Sequence, residues 1–148
     1  MKVLTFSKVF PKWHINAGEP TYFKEKILSG LSIHTIRPQT SKWKIGDKIS
    51  MRQWSGKPYN SKQEIFCEEF EVVEMLEFSI EQNGTFVLLT NLCWFGFCDA
   101  NHMFRLICKN DGLTIEQFKS WFRIKEYHEL TKEFKGTIIA WKPTNYKP

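Results

Sequence analysis

The sequence predicts an α+β domain built on a small, partly closed β-barrel. Short apolar segments separated by turn formers recur along the chain and suit strands. Only two segments carry clear helix signals, one stopped by Gly30 and one started at Thr114. At 148 residues, 42% of them hydrophobic with 13 Phe and 6 Trp, the chain can bury one core without disulfide or metal staples. Many short strands with two helices inserted suggest such a barrel.

Lys2 to Ser7 alternates Val3, Thr5 and Ser7 against Leu4 and Phe6, as an opening strand does. Pro20 suits the first turn of a helix, and Phe23, Ile27 and Leu28 form its apolar stripe before Gly30. A short strand reaches Arg37 and stops at Pro38. The Lys44-Ile45-Gly46-Asp47 turn then leads into a strand over Lys48 to Arg52. Residues Ser55 to Ser61 are dense in turn formers and read as a loop. Glu64 to Leu76 reads as one long strand placing Ile65, Cys67, Val72 and Val73 in the core, and Phe86 to Thr90 as another. A mixed aromatic segment runs from Leu92 to Phe104.

Thr114 and Gln117 form a capping box, flanked by Leu113 and Phe118 as a hydrophobic staple. Ile115, Phe118 and Phe122 follow at helical spacing. Thr137 to Trp141 is nearly unbroken apolar sequence, which suits a buried closing strand. Residues 143–148 read as a flexible tail of a single 1–148 domain.

The strand after Gly30 is the most informative segment. Successive side chains in a strand point to opposite faces, so His34 and Ile36 share one face while Thr35 and Arg37 share the other. Thr35 and Arg37 thereby present a hydroxyl and a guanidinium fork to one anionic or polar ligand, or equally to water. His34 suits either base stacking or a satisfied place in the core. Arg37 suits a phosphate or a carboxylate, or a structural pair with Asp47 or Asp111.

The second informative stretch is Trp54 to Gln63. Trp54, Tyr59, Lys57, Lys62 and Gln63 lie on one bent loop, with Arg52 just before it. Aromatic faces beside ammonium groups are what single-stranded nucleic acid needs, although loop aromatics also plug barrel ends.

The net charge of +5 mildly favours a polyanionic partner. Cys67, Cys93, Cys98 and Cys108 read as small buried hydrophobes; the Cys93, Cys98, His102, Cys108 spacing is too loose for the usual structural zinc site. No motif calls for a cofactor or a metal, and no glycine-rich phosphate loop or Ser-His-Asp set is present. No apolar run reaches the roughly 18 residues of a membrane span, and the opening residues do not form a secretion signal. A cytoplasmic location and no membrane partner are expected.

The order of helix, Gly30, polar strand and Gly46-Asp47 turn resembles the ASCH domain of the PUA-like superfamily. The matching residues are Phe23 to Gly30, His34-Thr35-Ile36-Arg37 and Lys44 to Asp47. Ile107 to Leu113, with Asp111-Gly112 ahead of the Thr114 helix, resembles the family's acidic-Gly element, and Gly136 to Trp141 its closing strand.

The resemblance implies a five- or six-stranded barrel with helices bordering a cleft, and binding of RNA or a modified nucleobase or nucleoside. One bacterial ASCH group hydrolyses the acetyl amide of N4-acetylcytidine with a lysine, a threonine and a glutamate. By position the threonine is Thr35, the acid is Asp111, and Ser32 stands where the lysine belongs. Lys24, Lys26 or Lys57 would then have to supply the missing ammonium, because a threonine hydroxyl needs a base to become nucleophilic.

Three readings follow. The first is a binding cleft with Thr35, Arg37 and Asp111 on its floor and His34, Arg52, Trp54, Lys57, Tyr59, Lys62 and Gln63 around it. The second is an amidohydrolase with Thr35 attacking and Asp111 handling the proton. The third is a protein-interaction module docking through the aromatic loop.

Overall fold

The computed structural model describes residues 1–39, 42–83, 86–89, 93–95, 98–126, 129–130 and 133–146, with backbone alone described between 82 and 101 and at 125–126 and 129–130. The elements in chain order are β1 (Lys2–Phe6), α1 (Phe23–Leu28), β2 (His34–Pro38), β3 (Ile49–Trp54), β4 (Gln63–Cys67) and β5 (Glu74–Asn83). They continue with β6 (Phe86–Leu89), β7 (Cys93–Phe95), α2 (Cys98–Asn110), α3 (Ile115–Trp121), β8 (Ile124–Glu126), β9 (Glu129–Leu130) and β10 (Phe134–Ala140).

The central strand is β10, and its sequence explains why. It pairs antiparallel with β2 on one side and β5 on the other, inside a five-stranded sheet of order β2-β10-β5-β6-β7. Its successive residues Ile138 and Ile139 are both fully buried, but in different clusters. Ile138 faces Phe78, Phe104, Ile107, Phe118 and Phe122, the core between the sheet and helices α2 and α3. Ile139 faces Leu4, Phe6, Ile49, Met51 and Trp141, the core shared with the second sheet. A strand covered on both faces needs an unbroken apolar run, which is what Thr137 to Trp141 supplies.

The second sheet has order β1-β3-β4, with β1 parallel to β3 and Thr5 opposite Arg52. β8 and β9 form a separate pair. No ladder among the described residues joins the sheets into a closed barrel, so the architecture is α+β with two main sheets over two cores. None of the described helices is long and apolar enough to cross a membrane.

α3 starts as its sequence requires. The Thr114 side chain accepts from the Gln117 amide at 3.2 Å while the Gln117 side chain accepts from the Thr114 amide at 3.1 Å. Leu113 and Phe118 are both buried behind this box.

Several expectations need correction. The segment expected as mixed aromatic sequence up to Phe104 runs into helix α2, whose last turn also takes in Ile107 to Asn110. The long strand expected over Glu64 to Leu76 is two strands in different sheets, divided by residues 68–73. β4 is an edge strand, so Ile65 is 55% exposed, and Val73 is also exposed; only Cys67 and Val72 of the four expected core residues are buried. α1 begins at Phe23, three residues beyond Pro20, which instead forms an isolated bridge with Val9. The β6 expectation holds to Leu89, and Thr90 lies outside the described residues, as do Lys147 and Pro148.

The expected flexible tail is tethered through Tyr146. Thr144 donates from both its amide and its hydroxyl to Glu74 Oε1 at 2.8 Å, and Thr144 and Tyr146 are both buried. Residues 143–146 are thus packed against the domain.

Gly136 of β10 has no room for a side chain beside β2. A Cβ there would lie 2.3 Å from the Arg37 carbonyl oxygen and 2.6 Å from the Phe134 ring. Gly136→Ala is therefore expected to cost roughly 1–3 kcal/mol by overpacking, read as a drop in the urea midpoint. An unchanged midpoint would show that the two strands separate without penalty.

A candidate nucleobase cleft

Helix α2 ends in a Schellman motif. The Leu113 amide donates to the Cys108 carbonyl at 3.0 Å and the Gly112 amide to the Lys109 carbonyl at 3.0 Å. Gly112 takes the left-handed conformation this motif requires, at φ 82. A Cβ on it would make only ordinary contacts with Phe23, Lys26 and Ser32, so the glycine is required by its backbone conformation rather than by space. The turn is locked from the other side: the Ile33 amide donates to the Asn110 carbonyl at 2.9 Å, and Ser32 Oγ donates to the same oxygen at 3.2 Å. Asp111 is thereby held against the outer edge of β2.

Its surroundings form a buried polar chain. Asp111 Oδ1 lies 3.4 Å from His34 Nδ1, a charge contact without hydrogen-bond alignment. His34 is 1% exposed, and its Nε2 meets the Tyr146 hydroxyl at 2.6 Å. Asn110 Nδ2 donates to that same hydroxyl oxygen at 2.9 Å. When the hydroxyl donates on to Nε2, the neutral imidazole carries its proton on Nδ1, toward Asp111.

On the other face of β2, Arg37 Nε donates to Thr35 Oγ1 at 3.2 Å and Nη2 donates to the Thr5 carbonyl at 2.9 Å. The guanidinium also lies over the Phe6 ring, 5.2 Å from its centroid. Its Nη1 makes no hydrogen bond among the described residues. Arg37 thus clamps β2 to β1 while keeping donor capacity for a ligand.

These groups border one cleft of about 180 Å³. Thr35, Arg37 and Asp111 line it together with Thr5 and Ser7, and Phe6, Phe23 and Trp121 supply its aromatic lining. Burial shifts both charged groups toward neutrality. It pushes the Asp111 carboxyl above its ordinary range, against the opposing pull of His34, Arg37 and the Ile36 amide. It lowers the Arg37 guanidinium, against the fields of Asp111 and then Tyr59. The C-terminal end of α2 is also a poor place for a negative charge.

No family model, curated protein or solved structure matches the chain.

The residues singled out in the sequence therefore divide. Thr35, Arg37 and Asp111 share the cleft, whereas His34 lies beneath it and reaches it through Asp111. Asp47 is not Arg37's partner. It binds Lys2 Nζ at 2.5 Å and the Lys44 amide at 2.8 Å, and these bonds hold its carboxyl below the usual range. Gln63 is the residue that joins the aromatic loop to the cleft, donating to Thr5 Oγ1 at 3.3 Å and accepting from Arg52 Nη1 at 3.4 Å. Trp54 and Tyr59 pair at 5.2 Å between ring centroids beyond it. Tyr59, Lys57 and Lys62 are exposed and are not part of the cleft lining.

Ser32 is buried and spent on backbone carbonyls. Lys26 Nζ is occupied too, donating to the Gly112 carbonyl at 2.7 Å and the Thr21 carbonyl at 2.9 Å. No lysine among the described residues bonds Thr35 Oγ1; its partner is Arg37. Cys67 and Cys108 are buried, while the side chains of Cys93 and Cys98 lie outside the described residues.

Sequence reasoning missed Tyr146, Asn110 and the cleft residues Thr5, Phe23 and Trp121. No local pattern marks Tyr146, whose partner His34 is 112 positions away. Phe23 and Trp121 sit on apolar helix faces that look the same whether they fill a core or line a cleft.

Two outcomes are expected from these contacts. Tyr146→Phe removes one hydroxyl and leaves both His34 Nε2 and Asn110 Nδ2 without it, costing about 1–3 kcal/mol in urea unfolding; a neutral effect would mean the chain is not formed. For Asp111 the folded value lies above the unfolded one, so its contribution is full below the unfolded value of 3.8 and is lost as pH rises through the folded value. Asp111→Asn should therefore gain stability relative to wild type as pH increases, with the gap measured by urea titration at several pH values. Asp47 titrates in both proteins and cancels. A gap that narrows with rising pH would contradict the raised carboxyl.

Proposed function

We propose that the cleft binds a single nucleobase, as part of RNA or as a modified nucleoside, in an open PUA-like barrel of ASCH type. The observation that carries this reading is the convergence of Thr35, Arg37 and Asp111 on one aromatic-lined cleft. At about 180 Å³ the cleft is smaller than the roughly 300 Å³ at which pockets for drug-sized ligands begin, so it suits one planar ring system. Phe23 and Trp121, both half-buried, offer apolar surface for that ring, while Phe6 lies beneath the Arg37 guanidinium. Arg37 donates to a ring carbonyl or a phosphate. Asp111 accepts from an exocyclic amine when ionised and donates to a ring nitrogen when protonated.

The order α1, Gly30, β2 and Gly46-Asp47 turn supports the ASCH reading, as does Asp111-Gly112 at the cleft. The hydrolytic alternative gains no such support, since Thr35 Oγ1 meets a guanidinium rather than a base and Ser32 is buried away from it. A protein-docking role for the Trp54 to Gln63 loop likewise has no contact in its favour.

Isothermal titration with the four nucleoside 5′-monophosphates and N4-acetylcytidine tests the proposal. At least one should bind, and Arg37→Ala should weaken it about tenfold or more, the worth of one hydrogen bond to a charged group. Absence of binding by all five at millimolar concentration, or equal binding by the variant, would overturn it.

A further inference from the structure

A second groove adjoins the cleft. Ile36, Pro38 and Trp121 line both, and Arg123, Glu133 and Phe134 line the second, of about 280 Å³. The two thus share a wall that includes Trp121. Trp13 stands beside that indole at 6.2 Å between ring centroids and is 49% exposed. The Arg123 guanidinium stacks over Trp13 at 4.6 Å.

Arg123 is unusual in three respects. It follows the end of α3 in the left-handed conformation, at φ 59, where a side chain costs on the order of 1 kcal/mol. It is exposed, and it enters no ion pair among the described residues although Glu133 lines the same groove. Its charge is therefore available to a ligand, carried on an aromatic ring.

Resting on the nucleobase reading of the cleft, we propose that its ligand is one nucleotide of a single strand and that Trp13, Trp121 and Arg123 bind the adjoining nucleotide. The neighbouring base stacks on the exposed Trp13 indole, extending the Arg123–Trp13 stack, and the phosphate between the two nucleotides meets the Arg123 guanidinium. Glu133 accepts from an exocyclic amine of that base. An exposed indole and a cation for phosphate, at the side of a groove that adjoins a base-sized cleft, match a flexible single strand; a duplex keeps its base faces stacked. The chain's net charge of +5 favours the same ligand.

The test compares a fluorescein-labelled, mixed-sequence RNA octamer with the four nucleoside monophosphates, on wild type, Trp13→Ala and Arg123→Ala. Melting temperatures control for folding, and neither residue belongs to a core cluster. The octamer should bind about tenfold or more tightly than the best monophosphate, as one additional stacked base provides. Each substitution should remove most of that excess and leave monophosphate binding within about twofold. Arg123→Ala should also lower the slope of log affinity against log salt by about one.

An octamer no tighter than a monophosphate, or variants that keep the excess or weaken both probes alike at an unchanged melting temperature, would overturn the second subsite and leave the cleft reading standing. A wild-type protein that binds neither probe would remove both.

Discussion

One carboxyl organises this molecule. Asp111 sits between a buried imidazole and a half-buried guanidinium at the end of a helix, largely shielded from the water that would compensate its charge. A buried charge is tolerated only where polar groups surround it and every neighbour is held in place. The surrounding structure meets those conditions. The Schellman turn at Gly112 fixes the carboxyl, Ile33 and Ser32 tie β2 to the same helix end, and Tyr146 and Asn110 orient His34 behind it. Arg37 approaches from the other strand face, where Thr35 and the Thr5 carbonyl hold it.

The cleft follows from the same constraint. β2 is an edge strand of the larger sheet, and no ladder joins it to β1 of the smaller one. Arg37 crosses the gap by a single side-chain bond to the Thr5 carbonyl. A gap left open by backbone pairing, floored by polar side chains and lined by Phe6, Phe23 and Trp121, is the place where the proposed flat polar ring would sit. Burial raises the Asp111 carboxyl and lowers the Arg37 guanidinium, and a ligand in the cleft could hydrogen-bond to both. Such bonds are worth more here than on an open surface, where water already satisfies such groups.

Local signals made part of this legible. The alternation of β2 put Thr35 and Arg37 on one face, and the spacing of Thr114 and Gln117 identified the α3 cap. The nearly unbroken apolar run of Thr137 to Trp141 marked a buried last strand, and the structure adds that it is covered on both faces. α2 was harder to see: Phe104, Ile107 and Cys108 stand at helical spacing, but Asp99, Asn101 and His102 at its start are weak helix formers. The Pro-flanked Tyr146 resembled a loose end because its reason for order lies with Glu74 and His34, far away in sequence. The cleft's dependence on two unjoined sheets is a property of topology, and no residue pattern in β1 or β2 announces it.

The proposed nucleobase role of the cleft is tested most directly by mapping amide shifts in a two-dimensional proton–nitrogen NMR titration with the four nucleoside monophosphates. The account predicts the largest shifts at Thr35, Ile36, Arg37, Asp111 and Gly112 and at the Trp121 indole, for at least one of the four. Shifts confined to other parts of the chain, or none at millimolar ligand, would contradict it.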